Sequence, residues 1–170
     1  MQERKGVITF AGNPLTLLGA ELKPGTTAPE FTLLSNDLQP KKLSDYKGIA
    51  VIISVVPSLD TGVCDLQTKR FNKEADNLKN VQILTVSCDL PFAQARWCGA
   101  ADAKHLVTLS DHFDLNFGLS YGVAIKELRL LTRAIFVLDK AHKVVYTQIV
   151  PEVTTAVNFD AALAAAKNLG

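Results

Sequence analysis

Between Ile49 and Val56 the chain reads Ile-Ala-Val-Ile-Ile-Ser-Val-Val, in which Ser54 alone is polar. A run this rich in Val and Ile is the pattern of a strand covered on both faces, so it belongs in the interior of a sheet flanked by helices. It is far shorter than the roughly 20 residues a membrane-spanning helix needs. The run ends at Pro57-Ser58-Leu59-Asp60-Thr61-Gly62-Val63-Cys64, and the segment Asp65 to Asn80 then reads as an amphipathic helix, with Cys64, Phe71, Ala75 and Leu78 near one face. Strand, corner and helix together place Cys64 at a helix start.

That position has chemical consequences. The first turn of a helix presents N–H groups without intrahelical partners and carries the positive end of the macrodipole. With Thr61 as N-cap, Cys64 falls at N3, where a capping-box carboxylate commonly sits. Helix N-termini are among the environments that lower a cysteine pKa from about 8.5 to roughly 3.5–7.5, so a reactive thiolate is favoured here. A cysteine beside an apolar strand is otherwise commonly an inert core thiol.

The rest of the chain alternates strands and helices. Val7–Phe10 and Leu15–Leu18 flank Gly12-Asn13-Pro14 and predict an N-terminal β-hairpin within residues 1–19. Pro24 to Pro29 is a loop, and Leu43 to Gly48 suits a turn or a helical turn. A second buried strand is expected over Val81–Ser87 and a helix from Pro91 to Ala103, since proline suits a first helical position. Val107–Leu109 predicts a short strand and Asp114–Tyr121 a short helix. Arg133–Leu138 and Lys143–Val150 predict two antiparallel strands around a tight connection. The Ala-rich stretch Asn158–Leu169 predicts a closing helix. This order indicates an α/β fold with a mixed sheet, in a single domain over residues 1–170.

Lys plus Arg number 18 against 17 Asp plus Glu, so no basic excess draws nucleic acid or an anionic membrane. Met1 to Gly6 is polar and leads into no signal-peptide apolar core, so a soluble, cytoplasmic protein is expected. In that compartment three cysteines predict a transient, catalytic disulfide rather than a structural framework. Their spacings, with those of His105, His112 and His142, match no metal-ligand pattern, and neither a metal nor a cofactor is expected.

Pro57, Thr61 and Cys64 form Pro-x-x-x-Thr-x-x-Cys, which resembles the active-site signature of the peroxiredoxins. The longer stretches Pro57–Cys64 and Ser87-Cys88-Asp89-Leu90-Pro91-Phe92-Ala93-Gln94-Ala95-Arg96-Trp97-Cys98-Gly99 are similar to the thiol peroxidase branch, the atypical two-cysteine type. The resemblance implies a thioredoxin-like fold with the hairpin added. It implies that Cys64 is the peroxidatic nucleophile and Cys98 the resolving cysteine, joined in an intrachain disulfide during turnover, and that an arginine assists. Arg133 fits that arginine, with Arg129 as the alternative. The Thr61 hydroxyl and the amides around Val63 and Cys64 are expected to donate to the reacting oxygens. Pro57 shapes the corner without a competing N–H. The resemblance further implies hydroperoxide substrates, organic ones as well as hydrogen peroxide, thioredoxin as reductant, and a homodimer. Cys98 lies within a predicted helix, and a disulfide requires Cα atoms within about 7 Å, so both cysteine segments are expected to unwind locally. Cys88 reads as a small hydrophobe. Trp97 either covers the site or simply packs.

Three rival readings stay open on sequence. A dithiol oxidoreductase needs Cys-x-x-Cys, but Thr61 and Gln67 occupy the positions three away from Cys64. A redox sensor would use Cys64 stoichiometrically, and a one-cysteine peroxidase would dispense with Cys98.

Overall fold

The computed structural model describes residues 1–170. Its strands are β1 (Glu3–Phe10), β2 (Asn13–Leu18), β3 (Thr32–Leu34), β4 (Pro40–Lys42), β5 (Ala50–Val55), β6 (Val81–Ser87), β7 (Val107–Ser110), β8 (Ala124–Ile125), β9 (Leu130–Leu131), β10 (Ala134–Leu138) and β11 (Val144–Ile149). The helices are α1 (Gly62–Ala75), α2 (Pro91–Ala101), α3 (Asn116–Ser120) and α4 (Phe159–Lys167), with a 3-10 turn at Leu43–Tyr46. No helix is long and apolar enough to cross a membrane.

Seven strands form the main sheet in the order β11-β10-β5-β6-β7-β3-β4, and β1-β2-β8-β9 form a smaller one. β5 pairs in parallel with β6 and antiparallel with β10, so the sheet is mixed as the element order predicts. All six residues of β5 are buried, which is why that strand tolerates almost no polar side chain. One face packs Val51, Ile53, Val55 and Phe136 with Phe31, Phe117 and Tyr121; the other packs Ile52, Ile83, Ile135 and Val137 with Phe71 of α1 and Ala162 and Ala166 of α4. The alternation along β5 and β10 thus feeds two cores.

Helix ends differ from the sequence reading where loop chemistry intervenes. α1 stops at Ala75 rather than Asn80, and Asn80 takes φ +54° at the entry to β6. Leu78, outside the helix, still packs against the Phe71 core. α2 stops at Ala101 because Asp102 adopts a left-handed conformation, φ +51°, and its N–H returns to Cys98 O. α3 begins at Asn116, two residues later than Asp114, after Leu115 at φ +60°.

Two features place the chemistry. Ala134 pairs with Val55, so the residue before β10, Arg133, lies beside the end of β5 where the chain turns toward Cys64. Glu152 lies beside Thr9 across a parallel bridge, which brings the hairpin tip onto the loop after β11.

Candidate active site

Thr61 has extended backbone and its Oγ1 accepts the Cys64 N–H at 3.3 Å, so Cys64 stands at N3 of α1. The Thr61 hydroxyl hydrogen points to Ser58 O at 3.4 Å. The Cys64 amide is therefore committed to the cap. The amides of Gly62 and Val63, at N1 and N2, have no intrahelical acceptor. Both residues line a cavity of about 190 Å³ with Pro57, Thr61, Phe10, Arg133, Val153 and Thr154.

Beneath that cavity Cys64 is fully buried and Arg133 is only 2% exposed. The guanidinium uses three donors in three directions: Nη2 to Cys64 Sγ at 3.1 Å, Nη1 to Gln67 Oε1 at 2.9 Å, and Nε to Val153 O at 2.8 Å. Gln67 Nε2 in turn donates to Ser54 Oγ at 2.8 Å. The single polar residue of the apolar β5 run is thus the last link in the chain that orients the arginine. Arg129 lies elsewhere: at φ +52°, its side chain donates to the carbonyls of His112 and Phe113.

Two carboxylates outside the sequence reading hold this arrangement from either side. Asp89, just past β6, accepts from Ser58 Oγ (2.7 Å), Leu59 N (2.7 Å) and Ser87 Oγ (2.8 Å), pinning the corner before α1 to the end of the sheet. Glu152 accepts from Thr9 Oγ1 (2.6 Å), Thr154 Oγ1 (2.7 Å) and the amides of Ala11, Gly12 and Thr154. Those bonds, led by the Thr9 hydroxyl, hold its carboxyl well below the usual range. They fix Phe10 and the Val153–Thr154 rim over the cavity.

Cys98 lies on α2, and it packs with Ala101 and Ala103 against the cluster of Val56, Leu59, Cys64 and Trp97. Trp97 Nε1 donates to Asp65 Oδ1 at 2.9 Å, and Arg96 pairs with Asp60 at 3.1 Å, so α2 is tied to the start of α1. The Cys98 sulfur itself hydrogen bonds on β7 and on the turn between β3 and β4. β7 and β10 are separated by β5 and β6, about 14 Å at roughly 4.8 Å per strand spacing. The three cysteines are free thiols. Cys88 is half-buried against the larger core, and burial, with a contribution from the Asp111 carboxylate, pushes its thiol up to about 12.

Of the residues singled out in the sequence, Thr61, Pro57 and Arg133 line one cavity, and Cys64 joins them through its bond to Arg133. Cys98 stands at a second site and Arg129 joins neither. Gln67, Asp89 and Glu152 escape a sequence reading, although Gln67 carries a signal: it follows Cys64 by three residues on the same helical face.

A buried thiol beside a guanidinium at a helix N-terminus, on a mixed sheet flanked by helices, defines a cysteine-based redox protein of thioredoxin-like fold. Comparison with known proteins narrows the class. The Redoxin family model matches residues 23–164. Thiol peroxidases of Halalkalibacterium halodurans and Bacillus subtilis are 58% and 57% identical over 94% and 95% of this chain, and 96% and 97% of their own lengths. A crystal structure of a peroxiredoxin-like protein from Aquifex aeolicus superposes with a TM-score of 0.91 at 39% identity, covering 97% of this chain and 98% of that one. The chain belongs to the redoxin family and, within it, to the thiol peroxidase branch of the peroxiredoxins.

Proposed function

We propose that this protein reduces hydrogen peroxide and organic hydroperoxides by a two-cysteine cycle, Cys64 attacking the peroxide and Cys98 resolving the product, with thioredoxin restoring both thiols. The observation that carries this reading is the 3.1 Å bond from Arg133 Nη2 to Cys64 Sγ. Arg133 is a buried cation whose other acceptors, Gln67 Oε1 and Val153 O, are neutral. A buried charge without a counter-ion is costly, and among its partners only the sulfur can carry the compensating negative charge. Cys64 therefore serves as a thiolate.

The thiolate attacks the distal oxygen of a hydroperoxide bound in the cavity. As the S–O bond forms and the O–O bond breaks, the departing alkoxide takes up a proton and leaves as alcohol, or as water from hydrogen peroxide. Cys64 is left as sulfenic acid. Arg133, the Gly62 and Val63 amides and, once turned from Ser58, the Thr61 hydroxyl stabilise charge on the two oxygens. Pro57 closes the corner without adding a donor. The Cys98 sulfur then attacks the sulfenyl sulfur, the S–O bond breaks, water leaves, and the Cys64–Cys98 disulfide remains. A dithiol reductant of the thioredoxin kind exchanges with that disulfide and returns two thiols. Cys98 is held to β7 and the β3–β4 turn while Cys64 is held to Arg133 before β10, so resolution proceeds through local unwinding of α2 and the first turn of α1. We assign the cycle to a homodimer in the cytoplasm.

One equivalent of peroxide, followed by alkylation and mass spectrometry, tests the cycle: a Cys64–Cys98 linkage is expected, with Cys88 alkylated. In Cys98→Ser, one turnover followed by arrest is expected with thioredoxin present. Sustained turnover of that variant would show that Cys98 is dispensable.

A further inference from the structure

The surroundings of Cys98 form a closed circuit. Cys98 Sγ is 3.4 Å from Thr108 Oγ1 on β7 and 3.8 Å from Asn36 Nδ2 in the β3–β4 turn, and Thr108 Oγ1 donates to Asn36 Oδ1 at 2.9 Å. The donor inventory sets its direction. An amide oxygen only accepts, so the one hydroxyl hydrogen of Thr108 is committed to Asn36. The Thr108 oxygen can then only accept from the Cys98 S–H, while the sulfur accepts from the Asn36 amide nitrogen. Three groups and three hydrogens run one way around a ring. It borders a cleft lined by Ser35, Asn36, Asp37 and Thr108 and by Leu106 and Val107. The peroxide cavity has none of these residues in its lining.

We infer that Asn36 and Thr108 are positioning residues that latch the Cys98 thiol in its resting place, and that opening this ring precedes disulfide formation. The inference rests on the reading of Cys98 as the resolving cysteine. While the ring is closed, the S–H bond points to Thr108 and the sulfur is held to β7 and the β3–β4 turn. A sulfenic acid on Cys64 must wait. During that wait a second peroxide can oxidise it to sulfinic acid, so the latch sets the balance between resolution and overoxidation. Its two sulfur bonds are weak, and its removal is worth the modest factor of one ordinary hydrogen bond.

The test uses the full-length protein, oxidised with one equivalent of hydrogen peroxide, rapidly quenched by alkylation and analysed by mass spectrometry over time. Asn36→Ala and Thr108→Val, the second nearly isosteric, are each expected to form the Cys64–Cys98 disulfide about 3- to 10-fold faster than the parent. The peroxide concentration that converts half of Cys64 to sulfinic acid is expected to rise by a similar factor. Thr108→Ser, which keeps the hydroxyl, is expected to restore the parent rate, an outcome that loss of packing alone does not produce. Disulfide forming at an unchanged or slower rate in both Asn36→Ala and Thr108→Val overturns the latch and leaves the resolving role intact. No Cys64–Cys98 linkage in the parent overturns the resolving role and the latch with it.

Discussion

Cys64 and Cys98 stand on consecutive helices and pack around one apolar cluster, yet the first hydrogen bonds to a buried guanidinium and the second to an amide and a hydroxyl. Around Cys64, the chain Ser54–Gln67–Arg133–Val153 links β5, α1, the start of β10 and the loop after β11. Around Cys98, two neutral side chains hold the sulfur, at 3.4 Å and 3.8 Å. The charged centre is clamped by four segments of chain, while the neutral one is held by contacts that local opening can break. The charge thus sits on one half of the site and the looser hold on the other, and the first turn of α1 must open as well for the two sulfurs to meet.

The sharpest way to break this asymmetry is to remove the charge. Arg133→Met fills a similar volume without a donor, and the rate of Cys64 oxidation by peroxide is expected to fall about 10²- to 10³-fold, as for loss of one preorganised donor. Alkylation of Cys98 in a Cys64→Ser background is expected to be unaffected by the same change. Equal slowing of both sulfurs would show that Arg133 supports the fold rather than one thiol.

β7, the strand that holds Cys98 through Thr108, runs on into a buried carboxyl, Asp111, which faces α3. Burial raises its carboxyl to about 6, against the opposing effect of the Gly118 and Phe117 amides it accepts from. Between roughly pH 4 and 6 the folded state therefore holds more protons here than the unfolded chain, and this residue's contribution to stability falls as pH rises through that window. Asp111→Asn is expected to remove that decline. The difference between variant and parent in urea unfolding is expected to change by on the order of 2 kcal/mol between pH 4 and 7. A difference that is flat with pH would mean that the carboxyl is not desolvated.

The smallest expected effect concerns the rim. Glu152→Gln replaces an acceptor of five hydrogen bonds with one carbonyl oxygen and an amide NH2 that only donates, loosening Phe10 and Thr154 over the cavity. Peroxidase activity toward a bulky aromatic hydroperoxide is expected to fall about 3- to 10-fold, and activity toward hydrogen peroxide by less. Equal losses on both substrates would place the effect on Arg133, through Val153, rather than on entry.

What the sequence reveals of this site is what neighbours in the chain decide. The buried β5, the Thr61 cap and Cys64 at N3 follow from local pattern, and each stands in the structure where the pattern puts it. Arg133 comes from resemblance, since nothing in Leu-Thr-Arg-Ala predicts that β10 pairs with β5 in the register that brings it to the sulfur. Strands β3 and β4, three residues each, and β8 and β9, two each, carry too little periodicity to be recognised before their partners are known. Asp89, Glu152 and the Asn36–Thr108 pair act across 30 to more than 140 positions of chain. Charged and amide side chains in loops read as solvated until the fold supplies their acceptors and donors.

Trp97 is the only tryptophan, and its ring lies in the cluster that contains Cys64 and borders Cys98. Any redox cycle that parts α2 from α1 carries that indole out of an apolar wall and off the Asp65 carboxylate. The molecule therefore contains its own optical gauge: ultraviolet emission alone follows each passage between dithiol and disulfide, without a dye or an added label.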